Sequence, residues 1–175
     1  KIPDAEKIAD ILDQDDTITH VSMVHSETTS GILNDICEVT RVVKAKKRTM
    51  IVDAMSSFGG VDIPVGDLGI DFIISSANKC IQGVPGFSFI IAKKDALERT
   101  KGQARSLSLD LYDQWETMNK DGKWRFTSPT HTVLAFAKAM EELEEEGGIL
   151  ARSKRYYENN REIIRRFKEM GLETY

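Results

Sequence analysis

The sequence predicts an α/β fold: a mostly parallel sheet flanked by helices. Over the first 110 residues, helix-period and strand-period apolar patterns alternate, as they do in chains whose parallel strands are joined by crossover helices. Three of the expected strands end in short polar runs, and the carboxyl ends of parallel strands are where such sheets place their ligands. With 175 residues, 41% hydrophobic and 30% charged, the chain has the composition of one globular domain with a sizeable core.

Each element follows from its own pattern. Residues 4–13 read as a helix with Ala5, Ile8, Ala9 and Leu12 on one face. Thr19 to His25 reads as a strand. A helix is expected over about 33–47, striped by Leu33, Ile36, Cys37, Thr40 and Val43, and its basic end (Lys44 to Arg48) suits the negative end of the helix dipole. The strand Thr49 to Asp53 follows, then strands at 71–75 and 87–92, the last after a Gly83–Gly86 turn. Ser128-Pro129 opens a helix that Gly147-Gly148 closes, with Val133, Phe136, Ala137, Met140 and Leu143 as its apolar face. A final helix over about 149–170 repeats apolar residues at 149, 156, 163 and 170 and at 150, 157 and 164, too few heptads for a coiled coil. Gly171 stops it, and a strand is expected to begin at Leu172. Because the chain opens and closes within elements, it is expected to be part of a longer protein.

Charge and cysteine content narrow the function. A net charge of −4 and a pI near 5.5 supply no basic excess to neutralise phosphates, which argues against nucleic acid or an anionic membrane as partner. No apolar run is long enough to span a bilayer, and two cysteines make no disulfide framework, so a cytoplasmic location is expected. Cys37 falls on an apolar stripe and reads as core. Cys80 has no placed histidine that would mark it as a nucleophile.

The chemistry gathers at the strand ends. Lys79 lies where the apolar strand Phe72 to Ile74 runs out through Ser75-Ser76-Ala77-Asn78 into a Gly/Pro-rich turn. An amine at such a mouth is a candidate for a desolvated, Schiff-base-forming lysine, set against the commoner exposed loop lysine. Asp53 closes another apolar strand, where an unpaired charge is costly. A cation such as a protonated pyridine nitrogen would relieve that cost and keep the ring an electron sink; an N-cap for the turn at Ala54 is the plainer role. Thr28 and Thr29 read as turn residues, and His25 as a satisfied, partly buried histidine.

Four motifs in order carry a resemblance: H-x-E-T at 25–28, V-D-A-M-S-S-F-G-G at 52–60, S-S-A-N-K at 75–79 and G-x-P-G at 83–86. Together, with Asp53 and Lys79 placed 26 positions apart, they resemble fold-type I pyridoxal-phosphate enzymes, and among these the class V aminotransferases. The runs Asn78 to Gly86 and Trp124 to Thr132 are similar to a phosphonate-handling branch of that family, and the resemblance covers nearly the whole chain. Asn78 stands where many class V members carry histidine, a departure that this branch shares.

The resemblance implies pyridoxal 5′-phosphate as cofactor and assigns roles. Lys79 would hold the cofactor covalently and then shuttle a proton once released, which needs a depressed pKa. Asp53 would pair with the pyridine nitrogen, Thr28 would bond the ring's phenolic oxygen, and Met55 would pack on one ring face. Asn78 would reach the phosphate, and Thr127 would reach it from the neighbouring subunit of a homodimer; Thr127 also suits the capping region of the helix that follows it. The implied reaction moves the amino group of 2-aminoethylphosphonate to pyruvate, giving phosphonoacetaldehyde and alanine. Alternatives are an alanine–glyoxylate or serine–pyruvate type of aminotransferase, or a non-catalytic binding or assembly domain that keeps the fold. The presence of both Lys79 and Asp53 counts against the last. A cysteine desulfurase is disfavoured because no mobile cysteine-bearing loop is evident.

The family's N-terminal phosphate loop and its C-terminal carboxylate-binding arginine have no counterpart here. Residues 1–146 are therefore expected to be a partial cofactor-binding large domain, truncated at both ends, and residues 147–175 a helix leading towards a small domain. The isolated chain is expected to bind cofactor poorly and to turn over little. Arg105 and Arg125 are candidates for phosphonate binding by charge alone, against the plainer reading of surface residues.

Overall fold

The computed structural model describes residues 2–173. The elements in chain order are α1 (Ala5–Gln14), β1 (His20–Val24), α2 (Ile36–Ala45), β2 (Thr49–Asp53), α3 (Val65–Leu68), β3 (Phe72–Ser76), β4 (Ser88–Ala92), α4 (Lys94–Glu98), α5 (Leu111–Asp121), α6 (Thr130–Glu146) and α7 (Gly148–Glu169). The strands form one sheet in the order β1-β2-β3-β4. The β1–β2 and β2–β3 pairs are parallel, as the alternating pattern predicts, and β4 returns antiparallel to β3. Among the described residues no helix is long and apolar enough to cross a membrane.

Several boundaries move. The second helix begins at Ile36 rather than near 33 because the Asp35 side chain caps it, accepting the Glu38 N–H at 3.0 Å. Leu33 leaves the stripe: it is 53% exposed and bridges back to Ser26. On α6, Ala139 is buried and Ala137 is exposed, because this face turns towards Ile81 and Phe58. On α7 the apolar positions at 150, 157 and 163 are exposed, as is Met170 just past its end, and the one buried residue of the helix is Arg152. Leu172 and Glu173 have no regular structure; the rest of the strand expected there lies outside the described residues.

Strand register sorts the side chains onto two faces, since successive residues alternate. One face carries Met23, Met50, Val52 and Ile73, all buried against Leu12 of α1 and Ile36, Val39 and Val43 of α2. Met50, Val52 and Val43 have no exposed surface, and each contributes roughly 1.5–3 kcal/mol on complete burial. Further along, α6 joins this side through Phe136, which packs edge-on against Phe87 and tilted against Phe89. The opposite face carries Val24, Ile51, Asp53, Phe72 and Ile74, each only partly buried. Helices thus anchor one face, and Asp53 projects from the other.

Candidate active site

The carboxyl ends of β1, β2 and β3 lie side by side, with Asp53 in register beside Val24 and Ile74. Backbone bonds continue past the strands: the His25 N–H donates to the Asp53 carbonyl at 2.8 Å, and the Ala54 N–H to the Ile74 carbonyl at 2.9 Å. Side chains then tie the loop after β1, β3 itself and the turn after β3 to the 54–57 segment. Thr28 Oγ1 lies 3.1 Å from Ser56 Oγ, Ser75 Oγ donates to the Ala54 carbonyl at 3.4 Å, and Cys80 Sγ donates to the Ser56 carbonyl at 3.4 Å. The loop after β2 is the common partner of all three.

Asp53 is half-buried. Its Oδ1 accepts the Met55 N–H at 2.8 Å, so the turn-capping role is real, and Oδ2 makes no hydrogen bond among the described residues. Oδ1 thus shapes the turn. His25 is 4% exposed, with Nδ1 2.9 Å from Ser57 Oγ. Burial lowers its pKa, which keeps the ring neutral: this is the satisfied histidine expected from the sequence. Burial raises the Cys80 thiol against the opposing pull of Arg152 and Lys79, so the sulfur stays protonated and is a poor nucleophile.

Lys79 and Asn78 are exposed, so the described residues do not supply the desolvation expected around that amine. The reason is local. β3 ends at Ser76, Ala77 is still fully buried, and the turn then carries 78 and 79 beyond the sheet edge. Their side chains stand free while the turn's backbone is held. The Gln82 N–H donates to the Lys79 carbonyl at 2.8 Å and the Gly83 N–H to the Ala77 carbonyl at 2.9 Å. Close packing leaves no slack. A Cβ on Gly83 would sit 2.5 Å from the Ala77 oxygen, and one on Gly60 would sit 2.7 Å from Cys80 Sγ, which explains both glycines sterically.

The fold therefore brings Thr28, Asp53, Met55 and the Asn78–Lys79 turn to one edge. Thr127 is exposed ahead of α6, and no hydrogen bond among the described residues links it to them. Neither arginine proposed by charge joins them. Arg105 is exposed, and Arg125 is committed to Asp113 at 2.6 Å and to the Leu107 carbonyl. A groove of about 890 Å³ along β4 and α5, walled by Phe87, Phe89, Trp115, Met118 and Trp124, contains none of the candidate site residues. Sequence reasoning missed two features. Ser76 Oγ is buried and unpartnered at the end of β3, and the buried Arg152 of α7 bonds the Cys80 and Ile81 carbonyls immediately after Lys79.

A mostly parallel sheet flanked by helices, with an aspartate and a lysine at neighbouring strand ends, is the architecture of the fold-type I aminotransferases. The family model Aminotransferase class-V matches residues 2–174, and the chain belongs to that family. Within it, the chain is 61% identical over its whole length to a 2-aminoethylphosphonate–pyruvate transaminase of Lysinibacillus sphaericus, covering 48% of that relative. It is 58% identical over 97% of its length to one from Vibrio cholerae, covering 47%. The chain thus spans about half the length of the curated relatives it matches. Among solved structures it resembles a pyridoxamine–pyruvate aminotransferase from Mesorhizobium loti, with a TM-score of 0.79 and 29% identity over 88% of this chain and 40% of that one. An alanine–glyoxylate aminotransferase from Nostoc sp. superposes over the whole chain and 47% of its own, with a TM-score of 0.86; at 21% identity it shows the fold alone.

Proposed function

We propose that this chain is the cofactor-holding part of a transaminase that moves the amino group of 2-aminoethylphosphonate to pyruvate. The observation that carries the reading is the placement of Asp53 at the end of β2 and Lys79 in the turn after β3, joined through one segment, Ala54 to Ser57, in a chain 61% identical to a relative of that name. The relatives' names supply the substrates.

The residues present fit pyridoxal 5′-phosphate. Asp53 offers a carboxylate oxygen without an internal partner, which suits a protonated pyridine nitrogen. Thr28 and Ser56 offer adjoining hydroxyls for the phenolic oxygen, and Met55 is partly exposed for contact with a ring face. Lys79 offers an exposed amine, and Asn78 and the orphaned Ser76 hydroxyl add polar atoms beside it. When bound, the cofactor supplies an electron sink for charge developing at the substrate Cα. Lys79 Nζ would anchor it, then take the proton from the amine-bearing carbon of the donor and, in the reverse half-reaction, deliver one to the carbon that becomes the alanine Cα. Thr127, exposed ahead of α6, would complete the phosphate site across a homodimer. Residues 1–146 would be part of the large domain, with 147–175 leading on to the next. The free thiols of Cys37 and Cys80 suit the cytoplasm.

Alanine formation from pyruvate by the full-length protein tests the substrate. The expected result is faster turnover with 2-aminoethylphosphonate than with serine, aspartate or other amino donors. Preference for one of those donors would move the chain to another branch of the family. Absence of transamination with every donor would remove the activity.

A further inference from the structure

Arg152 is 2% exposed, a rare state for arginine that needs full pairing to be tolerated. Every partner it finds is specific. Nε donates to Glu146 Oε2 at 2.8 Å, and Nη1 donates to the Cys80 carbonyl at 2.9 Å and the Ile81 carbonyl at 3.2 Å. Those two carbonyls follow Lys79 directly and accept no other backbone N–H in the turn. The α6–α7 elbow aims the guanidinium. Gly147 and Gly148 both have positive φ (105° and 78°), which bends the chain sharply enough for Glu146 at the end of α6 to meet Arg152 on α7. Arg155 grips the same carboxylate at 2.7 and 3.0 Å, and the two arginines hold the Glu146 pKa down at about 2. A neighbouring contact acts on the same turn: Gln82, at φ 64°, donates through Nε2 to the Tyr156 hydroxyl at 2.6 Å.

We propose that Arg152 is a positioning residue for Lys79, fixing the 77–83 turn through the Cys80 and Ile81 carbonyls so that the amine is presented at one place above the sheet edge. The inference rests on the reading that Lys79 carries the cofactor. A planar guanidinium can bond carboxylate and carbonyls at once, which a lysine ammonium at the end of a flexible stem does poorly. Because the Lys79 side chain is exposed and the turn lacks strand pairing, α7 supplies the rigidity that the sheet does not.

The test uses the full-length holoenzyme with Arg152→Met, Arg152→Lys and the exposed α7 control Arg165→Ala. In Arg152→Met, kcat is expected to fall by roughly ten- to a hundredfold, as small misplacements of reacting groups do, while KM for the amino donor changes by less than about threefold. The pH midpoint of the visible absorbance that Lys79 and cofactor share is expected to shift. Amide hydrogen exchange is expected to quicken at Gln82 and Gly83 but not in β1 or α2. Arg152→Lys should recover part of each effect, and Arg165→Ala should match the unaltered protein. An Arg152→Met protein with unchanged kcat and an unchanged absorbance midpoint would overturn the proposal. So would exchange that rises uniformly through β1, α2 and the turn, since that marks a structural role only. If the unaltered protein shows no cofactor absorbance, the Lys79 reading fails. The exchange arm then still decides whether Arg152 holds the turn, and unchanged exchange at Gln82 and Gly83 would refute that too.

Discussion

On one face of the sheet Met23, Met50, Val52 and Ile73 lie buried beneath α1 and α2; on the other, Val24, Asp53 and Ile74 stay partly open. Adjacent residues of one strand, such as Val52 and Asp53, thus serve different ends. The helix-covered face supplies cohesion through close packing, where a lost methylene is felt. The other face and the loops beyond it hold the polar groups that can meet a ligand. Stability and chemistry are separable here because strand alternation separates them.

The largest effect expected on the chemical side comes from Lys79→Ala. Turnover by the holoenzyme should fall by at least about 10²–10⁴-fold, the range of a lost general acid–base group, while thermal unfolding stays close to that of the unaltered protein because the side chain is exposed. Comparable loss of folding and activity would erase the distinction between the faces. The counterpart on the packed face is Ile73→Ala, which is 1% exposed and should cost ~2–5 kcal/mol in urea unfolding. Activity per folded molecule should be preserved, as judged by turnover normalised to bound cofactor.

Gly83→Ala probes the seam between the two. Its Cβ would press on the Ala77 oxygen, so stability should fall by ~1–3 kcal/mol and cofactor occupancy should fall with it. Loss of stability with full occupancy would show the turn to be more tolerant than its packing suggests.

The smallest effect is a pH dependence from His25. Burial lowers its folded pKa below the ordinary 6.5, so the unfolded chain takes up the proton first as pH falls. Stability from this group is complete above about pH 6.5 and declines as pH drops through the lowered folded value. Thermal unfolding of His25→Asn across that window should show a flatter slope, whatever its absolute stability. An unaltered slope would mean that His25 does not titrate as its burial requires.

Much of this arrangement is legible in the sequence because it is written in contiguous residues. The parallel strands show as short apolar runs between helical patterns. Asp53 and Lys79 stand out because a charge at the end of such a run needs an explanation. What escapes is set by tertiary contact. Nothing local to Ser88–Ala92 says that β4 runs antiparallel, and α5 is too polar to show a stripe. Ala137 and Ala139 differ only in which one α6 turns towards Ile81. Arg152 is one of several arginines on α7, and only its reach to carbonyls more than seventy residues earlier distinguishes it. Desolvation of Lys79 depends on its surroundings, which residues 2–173 do not provide.

The central claim is that Lys79, exposed in the turn beyond the end of β3, is the residue that anchors the cofactor. Borohydride reduction of the full-length protein loaded with pyridoxal 5′-phosphate, followed by peptide mass mapping, tests it directly. The account predicts one stable pyridoxyl adduct, on the peptide containing Lys79 and absent from Lys79→Ala. An adduct on a different lysine, or one that persists unchanged in Lys79→Ala, would contradict it.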